Sequence, residues 1–336
     1  GARYFSGRAL IAELPAARTG EPPHLPSLQE QLALVNTQSR DRSVVPVLKA
    51  GSSPGTVDLE LKVVDELPLH ASVEMNNQQT SSTTALRANA SLSYDNLFQR
   101  YDSLALQYQT APEERSEVDV LAASYSARLS RRGTTLAFFF IDSNSDVATV
   151  GDGGGSINVI GKGKIYGSRV IVPLMSDAAE SHTLTVGAEY KDFTESVLSE
   201  DLLLTPVSYV NFSLGDASFW RGERLQAALS TSVNFGVRGL VNDEYEFRDK
   251  RYRARPNYIV FRGDGTLAVP LPKKFDVQLR IAGQYAVESI ISNEQFSVAG
   301  ADGVRGYYEA EQLGDIGYKT SLDLRSPELG LGWERL

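Results

Sequence analysis

Residues 275–288 read Phe-Asp-Val-Gln-Leu-Arg-Ile-Ala-Gly-Gln-Tyr-Ala-Val-Glu, and this stretch decides the fold. Phe275, Val277, Leu279, Ile281 and Tyr285 fall on one parity. Asp276, Gln278, Arg280, Gln284 and Glu288 fall on the other. Successive side chains of a strand point to opposite faces, so the segment has one apolar face and one charged face. Strands of globular proteins run about 5–6 residues, whereas about 9–11 tilted residues cross a bilayer. This run has the second length.

The same scheme recurs from about residue 69 to the end of the chain. Leu86, Ala88, Ala90, Leu92 and Tyr94 oppose Arg87, Asn89, Ser91 and Ser93. Leu225, Ala227, Leu229, Thr231, Val233 and Phe235 oppose Gln226, Ala228, Ser230, Ser232 and Asn234. Leu104–Tyr108, Leu121–Leu129, Leu184–Tyr190 and Ile316–Leu324 repeat it, for about twelve strands in all. Tight turns are expected near Asp95–Arg100, Ser130–Gly133, Met175–Glu180, Asp216–Gly222 and Pro270–Lys274. Longer polar or Gly-rich connections alternate with them at Pro112–Glu117, Asn144–Lys162, Phe193–Thr205, Arg238–Pro256 and Ile290–Gly314. Short turns on one rim and long loops on the other are the pattern of a transmembrane antiparallel β-barrel. A soluble β-sandwich or propeller is the alternative, but its loops would not sort so regularly. Tyr94, Phe98, Tyr101, Tyr166, Tyr190, Phe193, Phe219 and Trp220 stand near strand ends, where interfacial girdles form.

The polar faces carry Arg87, Arg128, Glu189, Lys191, Asp276, Arg280, Glu288, Lys319, Asp323 and Arg325. Facing lipid, a charge would cost roughly 2–4 kcal/mol at the midplane. These residues are therefore expected to face the lumen, which reads as a polar conduit and not as a packed plug of Leu and Val. A barrel must also close to leave no edge in lipid. The sequence stops at Trp333-Glu-Arg-Leu336, just after a loop-like Ser-Pro-Glu-Leu-Gly, so closing strands are expected beyond it.

Residues 1–68 have a different period. Leu28, Leu32 and Val35 fall at helical spacing, with Pro26 and Ser27 placed to start a helix. Arg8–Leu14 is a shorter helical candidate ended by Pro15. Ser43–Leu48 and Thr56–Val64 read as strands about the Gly51–Gly55 turn. The result is a small α+β unit ahead of the barrel. Gly1–Leu14 lacks a basic segment followed by an apolar core, and no initiator Met is present. A fragment without its targeting segment is expected; a cytoplasmic protein with a processed start is the alternative.

Composition narrows the chemistry. Hydrophobic residues make up 42% and charged residues 22%, and no apolar run reaches the length of a membrane helix. A net charge of -9 argues against a nucleic-acid surface, and the absence of cysteine removes disulfides, thiolate metal sites and thiol nucleophiles. His24, His70 and His182 lie in or beside expected loops without ligand spacing. Asp142, Asn144 and Asp146 imitate the opening of a calcium loop, but Val147 stands where Gly is needed and no Glu closes it at Gly153. Gly153–Lys162 has the wrong glycine spacing for a phosphate loop. No catalytic arrangement stands out, so neither an enzyme nor a cofactor is expected.

One cluster remains: Phe296-Ser-Val-Ala-Gly-Ala-Asp-Gly-Val304-Arg305-Gly306-Tyr307, followed by Gly314-Asp315. Either it is a solvated Gly-rich loop, or it folds back so that Arg305 meets a carboxylate on the inner wall while Val304 and Tyr307 are buried.

Val304-Arg305-Gly306-Tyr307 with Gly314-Asp315 resembles the VRG(F/Y) signature of the Omp85 superfamily. More closely, the chain resembles the two-partner secretion transporters, the ShlB/FhaC type of hemolysin secretion/activation protein. Arg42-Ser-Val-Val-Pro-Val-Leu, Pro54-Gly-Thr-Val-Asp58, Asp65-Glu-Leu-Pro-Leu-His70 and Asn76-Asn77 extend the match. So do Tyr94-Asp-Asn-Leu97 and Gly161-Lys-Gly-Lys-Ile-Tyr-Gly167. The resemblance implies a membrane-proximal POTRA domain at 1–68 in the periplasm. It implies that 69–336 are the early strands of an outer-membrane barrel of about 16 strands. It further implies that the motif lies in the sixth long loop, gating or bracing the pore. In that family the acidic partner of the motif Arg lies on a later strand, so Asp315, Asp323 and Glu328 are not expected to fill its place. The implied activity is secretion, with activation as a further role, of an unfolded TpsA-like partner such as a hemolysin or adhesin, in a barrel that faces outer-membrane lipid. A BamA-like assembly factor and a diffusion porin are the alternatives.

Overall fold

The computed structural model describes residues 2–17, 20, 24–151, 156–176, 179–194, 205–301 and 303–327. Gly153, Glu328 and Trp333–Leu336, considered above, lie outside the described residues. Among those described, no helix is long and apolar enough to cross a membrane, and strands are the elements of spanning length.

The N-terminal unit contains α1 (Gly7–Ala12), α2 (Leu25–Thr37), β1 (Arg42–Ala50) and β2 (Val57–Asp65). The start of α2 lies slightly earlier than Pro26 and Ser27 suggest, because the His24 ring accepts the Ser27 backbone N–H and caps the helix. Leu28, Leu32 and Val35 are buried on one face of α2 against Val44 and the inward residues Leu59, Leu61 and Val63. The strands β1 and β2 form an antiparallel pair, with Arg42 opposite Asp65 and Ala50 opposite Val57. The Asp65 carboxylate gathers the backbone N–H groups of Arg3, Tyr4 and Phe5 at 2.6–3.0 Å and ties down the start of the chain. Burial works to raise its pKa, yet these three donors hold the carboxyl below its ordinary value.

Twelve strands follow in a single antiparallel sheet. They are β3 (Leu69–Asn76), β4 (Arg87–Leu97), β5 (Asp102–Thr110), β6 (Asp119–Arg128), β7 (Thr135–Ser143), β10 (Gly163–Ser176), β11 (Glu180–Phe193), β12 (Val207–Arg221), β13 (Gln226–Gly236), β14 (Ile259–Leu271), β15 (Phe275–Ala286) and β18 (Ile316–Arg325). Each pairs with the next in this order. Inside the long loops lie a hairpin of β8 (Val147–Gly151) and β9 (Ser156–Ile160), a helix α3 (Glu244–Lys250), and a short pair of β16 (Phe296–Ser297) and β17 (Leu313–Gly314). One boundary differs from expectation: Asp216 is not in a turn. The strand β12 continues to Arg221 and turns at 222–225, with Asp216 opposite Leu184 and Thr231 on the outer face.

Register lines up the apolar parity across strands. Leu92 stands opposite Leu106, Tyr108 opposite Leu121, Phe261 opposite Tyr285, and Leu279 opposite Leu322. Leu92, Leu106, Tyr108, Leu121, Leu214, Phe261, Ile281, Tyr285 and Leu322 are all exposed. A continuous apolar surface of this extent is not tolerated in water and marks a lipid face. Near the long-loop rim, Phe140, Tyr166 and Tyr190 form an aromatic row with neighbouring centroids 5.1 and 6.3 Å apart. Near the other rim the rings of His182 and Trp220 meet at 5.6 Å. Two residues expected in the girdles do not join them. Phe193 is buried inside, and Tyr101 stacks on Phe5 beneath the N-terminal unit.

The sheet curls around its own loops. The Glu309 N–H, in the loop that precedes β18, donates at 3.0 Å to the Gln79 carbonyl in the connection between β3 and β4, so connections beside opposite edges of the sheet meet. The inside is not uniformly polar, contrary to the conduit reading. Near the long-loop rim Ala122, Phe139, Ile141, Ile165, Tyr209 and Val260 on the wall pack with Val150 and Val159 of the hairpin and Phe247 of α3. Loops that return inside must bury their own apolar faces, and they do so against this half of the wall. Gly167 makes room for the packing, since a Cβ there would overlap the Phe139 ring.

The face assignment has a direct test at Val233, which stands opposite Leu214 and Phe261, and at Ser232, which stands opposite Gly215 and Arg262. Val233→Arg should cost about 2–4 kcal/mol at membrane depth and deplete the inserted form. Ser232→Arg should be tolerated. Heat-modifiable gel mobility of membrane fractions reads both, and equal effects would reverse the in/out assignment.

Candidate functional site

The loop between β15 and β18, residues 287–315, is the sixth of the long connections and folds back against the inner wall. Its base is fixed by Glu294, which is 1% exposed. One carboxylate oxygen accepts from Lys191 Nζ at 2.6 Å and the Tyr209 hydroxyl at 2.7 Å, and the other from Arg262 Nη2 at 2.9 Å. Lys191 also lies 3.2 Å from Glu189, which pairs with Arg169 at 2.8 Å. Asn211 donates to Glu189, and the Tyr258 hydroxyl donates to Asn211. Gln284 donates to the Glu294 carbonyl at 3.0 Å and accepts from Arg262 Nε at 2.8 Å. Asn293 reaches the Ile160 carbonyl at 2.6 Å.

These partners come from β10, β11, β12, β14 and β15, and register puts them at one level: Lys191 opposite Tyr209, Glu189 opposite Asn211, Arg262 opposite Gln284. Inward parity aims each of them at the loop. Two carboxylates face three cations, so every buried charge has a counter-charge. Below the network lies a polar cavity of about 580 Å³ lined by residues including Ser213, Ser230, Ser232, Asn234 and Lys319.

The tip of the loop carries the motif. Gly306 has φ +92°, which a side chain would strain. The Val304 N–H donates to the Val298 carbonyl at 2.9 Å, closing a tight return. Arg305 Nη2 pairs with Asp323 Oδ1 on β18 at 2.8 Å. The family pattern does not predict Asp323 as the partner of the motif Arg, yet its inward parity, opposite Gln278, puts it on the wall that the folded loop meets. Val304 and Tyr307 are exposed, as the solvated alternative has them, while Arg305 meets a wall carboxylate, as the folded-back alternative has it. Gly314 pairs with Phe296, and Asp315 accepts from Arg251 at 2.6 Å and Gln295 at 2.9 Å.

The base and the tip of the loop are held unequally. The Arg305 side chain is 70% exposed and that of Asp323 29%, and ion pairs so open contribute about 0–1 kcal/mol. The Glu294 base is the firm anchor and the Arg305 contact is light.

The other charges are distributed along the wall. Arg87 is buried and donates to the Thr84 and Leu86 carbonyls. Lys319 lies 5.6 Å above the Phe296 ring. Arg280 and Arg325 both donate to Gln278, and Asp276 is half-buried beside them on β15. Two residues are not on the lumen wall as expected. Glu288 lies beyond the end of β15 and pairs with Arg255 at 3.5 Å. Arg128 leaves the end of β6 for the N-terminal unit, meeting Glu13 at 3.0 Å and Gln38 at 3.1 Å. Asp142 faces Lys164, Asn144 donates to the Ser116 carbonyl, and Asp146 accepts from Ser82, so these three do not converge on a cation. His70 is on a strand, not in a loop, and faces Asp41. Sequence reading missed Glu294, Arg262, Arg169 and Tyr209. Arg262 was within reach, since it alternates with Phe261 as Arg280 does with Ile281; Glu294 carried no periodic signal.

An antiparallel wall that is apolar outside and charged inside, with a long loop folded against its interior, defines a membrane β-barrel with an internal loop. The chain belongs to the haemolysin secretion/activation protein ShlB/FhaC/HecB family, whose model matches residues 55–334. Among solved structures it is similar to CdiB from Escherichia coli, with a TM-score of 0.70 and 18% identity over 95% of this chain and 59% of that one. It is also similar to CdiB from Acinetobacter baumannii, with a TM-score of 0.62 and 16% identity over 97% of this chain and 59% of that one. BamA from Haemophilus ducreyi lacking POTRA domains 1–3 gives a TM-score of 0.61 and 13% identity over 96% of this chain and 65% of that one. The chain thus spans about three fifths of the length of the CdiB structures. No curated protein matches it.

Removing the anchor should be severe. Glu294→Ala leaves the buried Lys191 with Glu189 alone and strips the half-buried Arg262 of its counter-charge, a loss of about 3–5 kcal/mol by the usual cost of halving a buried ion pair. Limited proteolysis of the loop and the melting temperature in detergent read the effect. Arg305→Ala should leave both nearly unchanged.

Proposed function

We propose that this chain is the membrane-proximal part of a two-partner secretion transporter, which moves an unfolded partner exoprotein across the bacterial outer membrane. Residues 1–68 act as a POTRA domain on the periplasmic side, and residues from 69 onward form a barrel wall embedded in outer-membrane lipid. The observation that carries this reading is the loop itself: a segment bolted at Glu294, lightly latched at Arg305, and lying across a polar interior.

The steps follow from the surfaces present. In the N-terminal unit β1 and β2 pair only with each other among the described residues, and Val45, Leu48, Val57 and Val64 are exposed on them. An extended segment of the exported chain adds to such an edge through main-chain hydrogen bonds. It then enters the polar part of the lumen, where Ser213, Ser230, Ser232, Asn234 and Lys319 line the way and meet its backbone groups. The folded loop lies against a polar cavity of about 580 Å³ in the interior, and passage of a chain requires its tip to swing away. The weak Arg305–Asp323 contact suits a latch that opens and recloses. Folding of the exported chain outside biases the direction, and the step calls for no bond-making chemistry.

Barrel assembly of the BamA kind is the second reading, supported by the likeness to BamA. The family match favours secretion. Arg305→Ala should reduce release of the cognate exoprotein into the medium while the assembled barrel stays at its normal level. Undiminished release would sink the latch. A fall in unrelated outer-membrane barrels, with secretion intact, would favour assembly.

A further inference from the structure

The seam between the N-terminal unit and the barrel holds a second cluster, remote from the loop network. Asp41 precedes β1, His70 is the second residue of β3, and Asp95 lies near the end of β4. His70 Nε2 is 3.0 Å from Asp41 Oδ1 and 3.7 Å from Asp95 Oδ2. One ligand atom from each of the three residues lies within 4.8 Å of the others. We propose that Asp41, His70 and Asp95 bind one divalent transition-metal ion of the zinc class, which pins the N-terminal unit to the first two barrel strands.

Geometry is the first support. A tetrahedral ion with bonds of 2.0–2.1 Å sets its ligand atoms about 3.3 Å apart, and the two measured separations from His70 bracket that value. The second support is charge. The Asp41 side chain is only 5% exposed, and a buried carboxylate must be compensated. One imidazole supplies at most one positive charge to two carboxylates. Arg40 approaches Asp95 at 3.7 Å, beyond hydrogen-bond length, from a side chain that is mostly exposed. A divalent ion balances both acids.

Pre-organisation is the third support. Residues 66–68 join the two units, and this linker holds both carboxylate-bearing segments. The Glu66 N–H donates to the Asp41 carbonyl, and the Asp95 N–H donates to the Pro68 carbonyl, each at 2.8 Å. The Ser103 hydroxyl donates to the second oxygen of Asp95 and fixes its rotamer. Such outer partners orient ligands in metal sites. A cavity of about 330 Å³ beside Asp41 and Asp95 leaves room for water at the remaining position. The mixed donor set, one imidazole and two carboxylates, suits Zn²⁺ better than Ca²⁺ or Mg²⁺, which prefer oxygen alone.

The proposal stands on the seam geometry and not on the secretion reading. The test uses the full chain in detergent, stripped with EDTA and titrated with Zn²⁺ by calorimetry and with Co²⁺ by visible absorption. Because the chain has no cysteine, tetrahedral Co²⁺ bands can arise only from nitrogen and oxygen ligands. One equivalent should bind, and proteolysis of the linker should slow with metal present. His70→Ala should weaken binding by more than the roughly 10–100-fold that loss of an outer partner costs. Asp95→Asn, which keeps its size and backbone contacts, should do the same if His70→Ala folds poorly. A double variant, His24→Ala with His182→Ala, should bind normally. Absence of saturable binding, or binding indifferent to both seam variants, overturns the site. So does linker protection in EDTA that appears on acidification and needs His70, because that outcome makes the seam a proton clamp.

Discussion

Lipid offers no hydrogen bonds, and this single constraint organises the molecule. Each backbone N–H and C=O at membrane depth must find a partner within the protein, and an antiparallel ladder is one of two ways to supply them. Twelve strands from β3 to β18 do so by pairing each with the next. Once strands are committed to the ladder, their parity is committed as well. A shift of one residue would carry every inward charge outward. The register that sets Leu279 opposite Leu322 therefore also sets Gln278 opposite Asp323, and the site is a consequence of the wall.

Inward parity creates a second problem, since charges such as Glu189 and Lys191 are buried wherever loops fill the interior. The loop resolves it by bringing Glu294 to Lys191 and Arg262. Burial makes this network costly to break, whereas exposure makes the Arg305 pair cheap to break. The same type of interaction thus anchors the base of the loop and merely latches its tip. Solvent access decides which.

Much of this was legible in the sequence, for a definite reason. Alternation over spanning lengths is a one-dimensional record of a two-faced sheet, and loop length records the rim. Both survive without knowledge of tertiary contacts, which is why the face of Val233 and the position of the motif in the long loop before the last strand could be read directly. Asp216 misled because a polar residue beside Gly215 imitates a turn, while the ladder carries β12 on to Arg221. The apolar filling around Phe139, Tyr209 and Phe247 was hidden because it is assembled from wall and loop residues far apart in the chain. Glu294 was hidden for the same reason: nothing local marks a residue whose partners lie on β11, β12 and β14.

The junction with the N-terminal unit follows a different logic from the barrel. Arg42 bridges the Tyr101 hydroxyl at 2.7 Å and the Val35 carbonyl at 2.6 Å, and Arg128 reaches Glu13 and Gln38 from the other side. Gln99 exchanges hydrogen bonds with Ser6 and Tyr4. Apart from the stacking of Phe5 on Tyr101, these contacts are polar and directional, and each depends on a few side chains. An apolar interface would yield gradually as the parts slide, whereas a polar one holds a single alignment and releases when its few bonds are lost. On the proposed secretion reading the unit presents its β1–β2 edge beneath the lumen, and that task needs alignment more than adhesion. The concentration of Arg, Asp and His at this seam supplies that alignment, and the polar interior continues its chemistry upward to the loop.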